Sequence, residues 1–243
     1  ELTQQFPKPG WVEHNPIEII TAVKETAASA VGQLASGWKN IDTIGIANQR
    51  ETTLIWDRKT GTPLGNAIVW HDTRTNDFCS DLLGQGYSST IKLSTGLKLN
   101  PYFSATKIRW LLDSIKDGQK RAENGELCFG TIDSWIVFNL TEGKKHLTDS
   151  TNASRTMLLN IHNLNWDPEM LSLFNIPSEI LPNVLPSASN FGLASPNFFG
   201  SEISISGIVG DQHSSLYGQL CFKKGMTKCT YGTGAFILTN EGN

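Results

Sequence analysis

The stretch that decides the fold is Glu202-Ile-Ser-Ile-Ser-Gly-Ile-Val-Gly-Asp-Gln212. Its apolar residues alternate and then close in a pair, which predicts a β-strand with a buried face. Gly210 lets the backbone turn, so Asp211 stands where the strand ends, directly before a predicted helix over 213–220. Ligands of α/β sheets bind beyond the carboxyl ends of strands, which makes Asp211 a candidate general base. An Asp before a helix is also a common N-cap, and this stretch alone leaves both roles open.

The composition is that of an ordinary globular protein. The chain has 243 residues, of which 39% are hydrophobic and 18% charged, with a formal net charge of −3. Because no basic run exceeds two residues, the sequence predicts no nucleic-acid partner. No apolar run approaches the roughly 18 residues of a membrane-spanning helix. The four cysteines lie far apart without a CxxC pair, which argues against a zinc site and a disulfide framework and favours a cytoplasmic location.

Two adjacent charges follow a second predicted strand. The strand over 41–47 runs into Asn48-Gln-Arg-Glu-Thr-Thr53, which places Arg50 and Glu51 side by side at its end. Buried charges cost free energy unless they are paired or meet a ligand. This pair is therefore either a salt-bridged turn or part of a binding site.

The rest of the chain alternates predicted helices and strands. Asn15 and Pro16 have the form of a helix start, and Asp133 is predicted to cap another helix. The polar run 149–156, which contains Arg155, is either a solvated loop or a buried network. The remaining predicted elements are a helix over 16–34, a hairpin between 54–56 and 67–70 that ends at Trp70, a helix over 104–112, a strand over 127–130 and a helix over 134–140.

A glycine-containing turn near the end of the sequence is a further candidate. Strands are predicted on both sides of Tyr231-Gly-Thr-Gly234. Glycines beside Thr233 expose backbone N–H groups and a hydroxyl that suit a phosphate, although hairpin turns use the same residues. Walker A, GxGxxG and HExxH motifs are absent from the sequence.

Taken in order, these motifs resemble the FGGY family of carbohydrate kinases, and within it the members that phosphorylate glycerol. The motifs that carry the resemblance are Pro7–Glu13, Asn48–Thr52, Trp70, Pro101–Phe103, Phe129–Trp135, Thr151–Thr156, Gly210–Gln212 and Tyr231–Gly234. The resemblance implies an α/β fold of the ribonuclease-H-like type found in the actin, hexokinase and Hsp70 ATPases. It further implies two such domains around a cleft, with residues 1–222 forming the first, incomplete at its start, and residues 223–243 beginning the second.

The resemblance also implies the roles of individual residues. Asp211 would be the catalytic base and would contact Mg²⁺ through water, and the turn Gly232-Thr233-Gly234 would lie near the ATP phosphates. Trp70 and Phe236 would form an apolar wall against the carbon backbone of glycerol. The positions implied for substrate binding are Arg50, Glu51, Trp70, Tyr102, Asp211, Gln212 and Phe236.

The expected activity is ATP-dependent phosphorylation of glycerol to sn-glycerol 3-phosphate. The chain lacks an initial Met and ends soon after an apolar run, so it is expected to be a fragment of a longer protein. The resemblance implies that the family's phosphate loop and adenosine-binding part lie outside it, so the fragment is expected to be inactive alone. The parent is expected to be a homo-oligomeric cytoplasmic enzyme. Two alternatives stay open: another sugar or polyol kinase of the same family, and a catalytically silent polyol-binding module. His213 and Ala235 depart from the residues expected of the family, and the role of His213 stays open.

Overall fold

A computed structural model describes residues 1–34, 37–232 and 234–242, in which strands and helices alternate. Within these ranges no helix is both long enough and apolar enough to cross a membrane. The strands are β1 (Gln4–Gln5), β2 (Glu13–His14), β3 (Thr43–Asn48), β4 (Leu54–Asp57), β5 (Ala67–Ile68), β6 (Leu127–Gly130), β7 (Leu147–Asp149), β8 (Leu159–Asn160), β9 (Asn165–Trp166), β10 (Asn183–Leu185), β11 (Leu193–Ala194), β12 (Ile203–Gly210), β13 (Thr227–Tyr231) and β14 (Ala235–Thr239).

The helices lie between these strands and confirm most of the predicted helical segments. Short 3₁₀ turns also occur at Gly37–Asn40 and Ser178–Ile180. The α-helices are α1 (Pro16–Val31), α2 (Asn76–Gly84), α3 (Ser88–Thr95), α4 (Ser104–Ser114), α5 (Gly118–Glu123), α6 (Ile132–Leu140), α7 (Ser150–Ala153), α8 (Pro168–Leu173), α9 (Pro196–Phe199) and α10 (Asp211–Gly218).

The predicted strand around the isoleucines is the middle strand of the sheet that positions the site. β12 pairs in parallel with β3 and antiparallel with β11. Gly210 at the end of β12 lies opposite Asn48 at the end of β3. Since both strands run the same way, Arg50 and Asp211 emerge together at the carboxyl edge of the sheet.

A β-bulge explains the spacing of the isoleucines in β12. Ile205 pairs with Ile44 and Gly207 with Gly45, so Ser206 is the extra residue. A bulge shifts the alternation of faces by one position. The three isoleucines of β12 are therefore all buried, although the last follows the second by three residues rather than two.

The predicted hairpin between 54–56 and 67–70 is only partly formed. β4 pairs along its length with β6, and β5 pairs with β2. The chain around β4 meets the residues that follow it through two isolated bridges, Thr53 with Ile68 and Trp56 with Pro63. These bridges differ in register by two residues, so no continuous ladder forms between the two segments.

The prediction that Asp133 caps a helix is wrong. Helix α6 begins at Ile132, and Thr131 occupies the cap position. Asp133 lies inside the first turn, fully buried, where it accepts hydrogen bonds from the hydroxyls of Thr131 at 2.5 Å and Thr148 at 2.6 Å. Burial raises the pKa of Asp133 to about 6. Its carboxyl group therefore links α6 to β7 instead of capping the helix.

Two apolar clusters surround these elements. One packs α1 and α6 against the sheet of β3 and β12, and includes the fully buried Trp135. The other lies around α4, with the fully buried Ile108 and Phe174. Helix α1 begins as predicted, because the side chain of Asn15 accepts a hydrogen bond from the N–H of Ile17 at 2.9 Å. It ends at Val31, three residues before the predicted end.

Candidate active site

The carboxyl edge of β3 and β12 opens into a cavity of about 260 Å³. Every predicted substrate-binding residue lines it, as do Gly232 and Gly234 of the predicted phosphate turn. Thr233 lies outside the described residues. The residues that line the cavity are Gln49, Arg50, Glu51, Trp70, Tyr102, Asp211, Gln212, Thr230, Gly232, Gly234 and Phe236.

Arg50 and Asp211 form an ion pair across the ends of the two strands. The guanidinium Nε donates to Asp211 Oδ1 at 3.1 Å, with side-chain exposures of 4% for Arg50 and 44% for Asp211. Asp211 is the first residue of α10, the cap position is Gly210, and no side-chain cap bond forms there. The N-cap alternative for Asp211 is therefore wrong. Its carboxylate stays open to the cavity.

Gly210 is required by the close approach of Arg50. A Cβ atom at this position would lie 2.4 Å from Arg50 Cδ and 2.7 Å from Arg50 Cγ. The N–H of Gly210 donates to Thr151 Oγ1 at 2.7 Å. The glycine thus lets the Arg50 side chain lie against the end of β12 on its way to Asp211.

Glu51 is paired with Arg155 rather than with its neighbour Arg50. Arg155 Nε donates to Glu51 Oε1 at 2.7 Å, and the Glu51 side chain is 2% exposed. Burial raises the pKa of this carboxyl group, while Arg50 and Arg155 oppose the rise. Glu51 also has a φ of +61°, a left-handed conformation that residues other than glycine rarely adopt. The ion pair with Arg155 helps to hold this strained turn, and in it the Glu51 side chain lines the cavity.

The polar run 149–156 forms a buried network, which is one of its two predicted forms. Asp149 caps α7 by accepting from the N–H groups of Thr151 and Asn152, and Asp149 and Asn152 are fully buried. The side-chain amides of Asn152 and Asn48 exchange hydrogen bonds at 2.9 and 3.1 Å. This network fixes α7, and with it Arg155, against the end of β3.

Three aromatic rings form the apolar side of the cavity. The centroid of Trp70 lies 5.3 Å from that of Tyr102 and 6.1 Å from that of Phe236, both edge to face. Burial, together with the nearby Glu51 carboxylate, raises the pKa of Tyr102 to about 12. Its phenol therefore stays protonated at neutral pH and can donate a hydrogen bond into the cavity.

The hairpin of β13 and β14 is confirmed and carries residues that the sequence did not single out. Lys228, buried in β13, donates to Gln212 Oε1 and, at 2.8 Å, to Thr230 Oγ1. Gln212 in turn donates its Nε2 to Asp211 Oδ2 at 3.0 Å. Lys228 therefore fixes the orientation of the amide that contacts Asp211. The sequence signal that could have identified Lys228 is its position on the inward face of a predicted strand, where lysine is uncommon.

His213 lies behind the Arg50 guanidinium. Its Nδ1 is 3.5 Å from Arg50 Nη1. Burial, with Arg50 and Arg155 nearby, lowers the pKa of His213 to about 4. At neutral pH the ring is uncharged, so its Nδ1 can accept a hydrogen bond from the guanidinium.

The sequence and structure are similar to those of known kinases. Residues 1–218 match the profile of the FGGY family of carbohydrate kinases, N-terminal domain. The glycerol kinases of Pseudothermotoga lettingae and Lactobacillus acidophilus are 52% and 54% identical over the whole chain, which covers 49% of each. A crystal structure of Plasmodium falciparum glycerol kinase with ADP is 42% identical with a TM-score of 0.93, and the match covers 99% of this chain and 48% of that one.

These similarities confirm the expected fold. The structural agreement extends over nearly all of the chain, which has the α/β, ribonuclease-H-like fold of the actin and hexokinase ATPases. The chain spans about half the length of the curated relatives it matches. Since the family profile covers residues 1–218 and the relatives agree with it, this chain belongs to the FGGY family of carbohydrate kinases.

Proposed function

We propose that the chain binds glycerol and forms the acceptor half of an enzyme that transfers the γ-phosphoryl group of ATP to it. The observation that carries this proposal is the mixed lining of the cavity. Arg50, Glu51 and Asp211 bring charged donors and acceptors to it, and Trp70 and Phe236 bring apolar surface.

A small polyol matches both the polar and the aromatic residues that line this cavity. Each hydroxyl of glycerol needs a donor and an acceptor, which a guanidinium, two carboxylates, an amide and a phenol together supply. The aromatic rings exclude water from the C–H faces. We assign hydrogen bonds with the hydroxyls to Arg50, Glu51, Tyr102, Asp211 and Gln212, and packing against the carbon backbone to Trp70 and Phe236.

The relatives favour glycerol over larger acceptors. The curated relatives named above, 52% and 54% identical to this chain, are glycerol kinases. The cavity of about 260 Å³ has room for a three-carbon polyol.

Asp211 is the group that we assign to proton transfer. Its carboxylate is half-exposed in the cavity, and Arg50 and Gln212 fix its two oxygens. As the glycerol oxygen forms its bond to the γ-phosphorus, the bond from that phosphorus to the ADP oxygen breaks and Asp211 accepts the hydroxyl proton. Holding the hydroxyl and the carboxylate in line is the main contribution of the protein.

We assign the turn Gly232-Thr233-Gly234 to the ATP phosphates, because Gly232 and Gly234 line the same cavity as Asp211. The N–H of Gly232 is engaged with the carbonyl of Gly234 at 3.0 Å. In the described part of the chain, no three acidic, His or Cys side chains converge as a metal centre. One carboxylate, Asp211, fits the way Mg²⁺ binds in kinases, through waters and substrate phosphates. Mg²⁺ would supply charge neutralisation on those phosphates.

The division of the chain follows from the same proposal. Residues 1–222 would belong to the acceptor domain and residues 223–243 would begin the second domain. Because the chain spans about half of its relatives, we expect turnover to require the other half, and we expect the whole enzyme to be a cytoplasmic homo-oligomer. Glycerol binding, in contrast, is expected of this chain itself because all seven residues assigned to glycerol line one cavity.

Titration calorimetry of the chain with glycerol tests the proposal. Arg50→Ala removes the guanidinium that is buried beside Asp211 and should abolish measurable binding. The matched control is Arg121→Ala, because Arg121 pairs with Asp57 and Glu126 away from the cavity. If the folded wild-type chain takes up no glycerol, or if both arginine variants lose binding equally, the proposed function is wrong.

A further inference from the structure

One fully buried lysine lies behind the cavity and has no part in the contacts assigned to glycerol. Lys107, in the second turn of α4, has no solvent exposure. Lysine is almost never fully buried unless it is paired, because the ammonium group loses its hydration. The partners of Lys107 therefore need an explanation.

Those partners are the main-chain carbonyls of two cavity walls. Lys107 Nζ donates to the carbonyl oxygen of Tyr102 at 2.6 Å and to that of Trp70 at 3.4 Å. Neither Trp70 nor Tyr102 belongs to a strand or helix. Within the described ranges, Lys107 is the sole hydrogen-bond donor to either carbonyl. The two segments also have hydrogen bonds of their own, such as Tyr102 N–H to Asn100 Oδ1 at 2.9 Å and Val69 N–H to the Val12 carbonyl at 2.9 Å. Lys107 links the two segments to each other.

We infer that Lys107 is a positioning residue for the acceptor site, which holds the Trp70 and Tyr102 segments at the separation that glycerol requires. This inference rests on the proposed function. The two rings meet edge to face at 5.3 Å, and the Tyr102 phenol is one of the assigned hydroxyl contacts. A shift of either segment would therefore move the apolar wall and a polar contact together.

The chemistry of an amine suits this task in both of its charge states. The charged and titratable groups that face Lys107 are Glu51, Asp72, Cys79, Arg74 and His71. Burial lowers the pKa of Lys107 to about 7, so both forms are present near neutral pH. An ammonium has three N–H donors and an amine has two, so either form can serve both carbonyls. The positioning contacts therefore persist through neutrality, with the ammonium making the stronger hydrogen bonds.

Calorimetry with glycerol separates a positioning role from a purely structural one. Lys107→Met keeps an unbranched four-atom stem and removes the terminal nitrogen with its donors. We expect the dissociation constant for glycerol to rise about tenfold while the number of sites per folded chain stays unchanged, since a net hydrogen bond is worth about a factor of ten. Lys107→Gln, which carries two N–H donors on a stem one atom shorter, should recover part of the affinity. Lys92→Met, on the exposed face of α3, is the matched control.

The outcomes distinguish this inference from the proposal on which it rests. Absence of glycerol binding by the wild-type chain refutes the proposed function and the inference with it. Binding by the wild type with the same dissociation constant in Lys107→Met refutes the inference alone, even when the number of competent sites falls. If Lys107→Met does not fold, Lys107→Gln decides by the same criterion: a dissociation constant equal to that of the wild type overturns the inference, and a raised one supports it.

Discussion

Replacement of Lys107 by methionine should change how the stability of the protein depends on pH. Burial lowers the pKa of Lys107 from 10.5 to about 7 in the folded chain. Between these two values the unfolded chain binds more protons than the folded chain. The free energy of unfolding therefore rises with pH through this window, and the contribution disappears when the lysine is removed.

The magnitude follows from the same two pKa values. A linked proton changes the free energy of unfolding by about 1.4 kcal/mol per pH unit. Summed from about pH 7.5 to about pH 9.5, Lys107 should stabilise the wild type by roughly 2–3 kcal/mol more than it does at the lower pH. The hydrogen bonds that methionine cannot make lower the stability of the variant at both pH values, so they cancel from this comparison.

Urea denaturation of the chain at the two pH values measures this difference. The increase in the free energy of unfolding from about pH 7.5 to about pH 9.5 should be roughly 2–3 kcal/mol larger in the wild type than in Lys107→Met. Lys92→Met, which removes an exposed lysine, should behave like the wild type. Parallel changes in the wild type and Lys107→Met would refute the reasoning, because Lys107 would then exchange no extra proton on unfolding.

Three further predictions concern the site and the core. Asp211→Asn, in an enzyme that contains this chain and the second half of its relatives, should lower turnover at least ~100-fold with little change in the KM for glycerol; undiminished turnover would show that the carboxylate is not the base. Gly210→Ala brings a methyl group within 2.4 Å of Arg50 Cδ and should weaken glycerol binding measured by calorimetry, and unchanged affinity would contradict the assigned position of Arg50. Gly130→Ala places a Cβ 2.6 Å from the Trp56 ring and should lower the free energy of unfolding by about 1–3 kcal/mol. A urea midpoint equal to that of the wild type would contradict this prediction.

The sequence predicted the elements whose signals are local. The strand ending at Gly210, the capped start of α1 and the hairpin of β13 and β14 were all confirmed. The residues predicted to bind substrate were also brought into one cavity. That prediction depended on a resemblance of ordered motifs, because composition and periodicity alone do not reveal which loops meet.

The parts that could not be predicted depend on contacts between distant segments. Asp133 has the sequence context of a cap, but in the structure its carboxyl group is buried and accepts a hydrogen bond from the Thr148 hydroxyl. The pairing of Glu51 with Arg155 joins positions that are 104 residues apart, and nothing local indicates it. Lys107 is a charged residue in a predicted helix, and its burial depends on the segments of Trp70 and Tyr102, which lie far from it or outside the helix and contact it only in the folded chain.

The parallel pairing of β3 with β12 has a consequence for biosynthesis. Arg50 and Asp211 are separated by 161 positions along the chain. At a translation rate of about 5–20 residues per second, the ribosome adds Asp211 roughly 8–30 s after Arg50. Throughout that interval the nascent chain carries β3 without β12 and the guanidinium without its carboxylate. The acceptor cavity therefore cannot form before Asp211 has been synthesised, and an arrest of translation before that point would leave β3 without β12, available to chaperones or to aggregation.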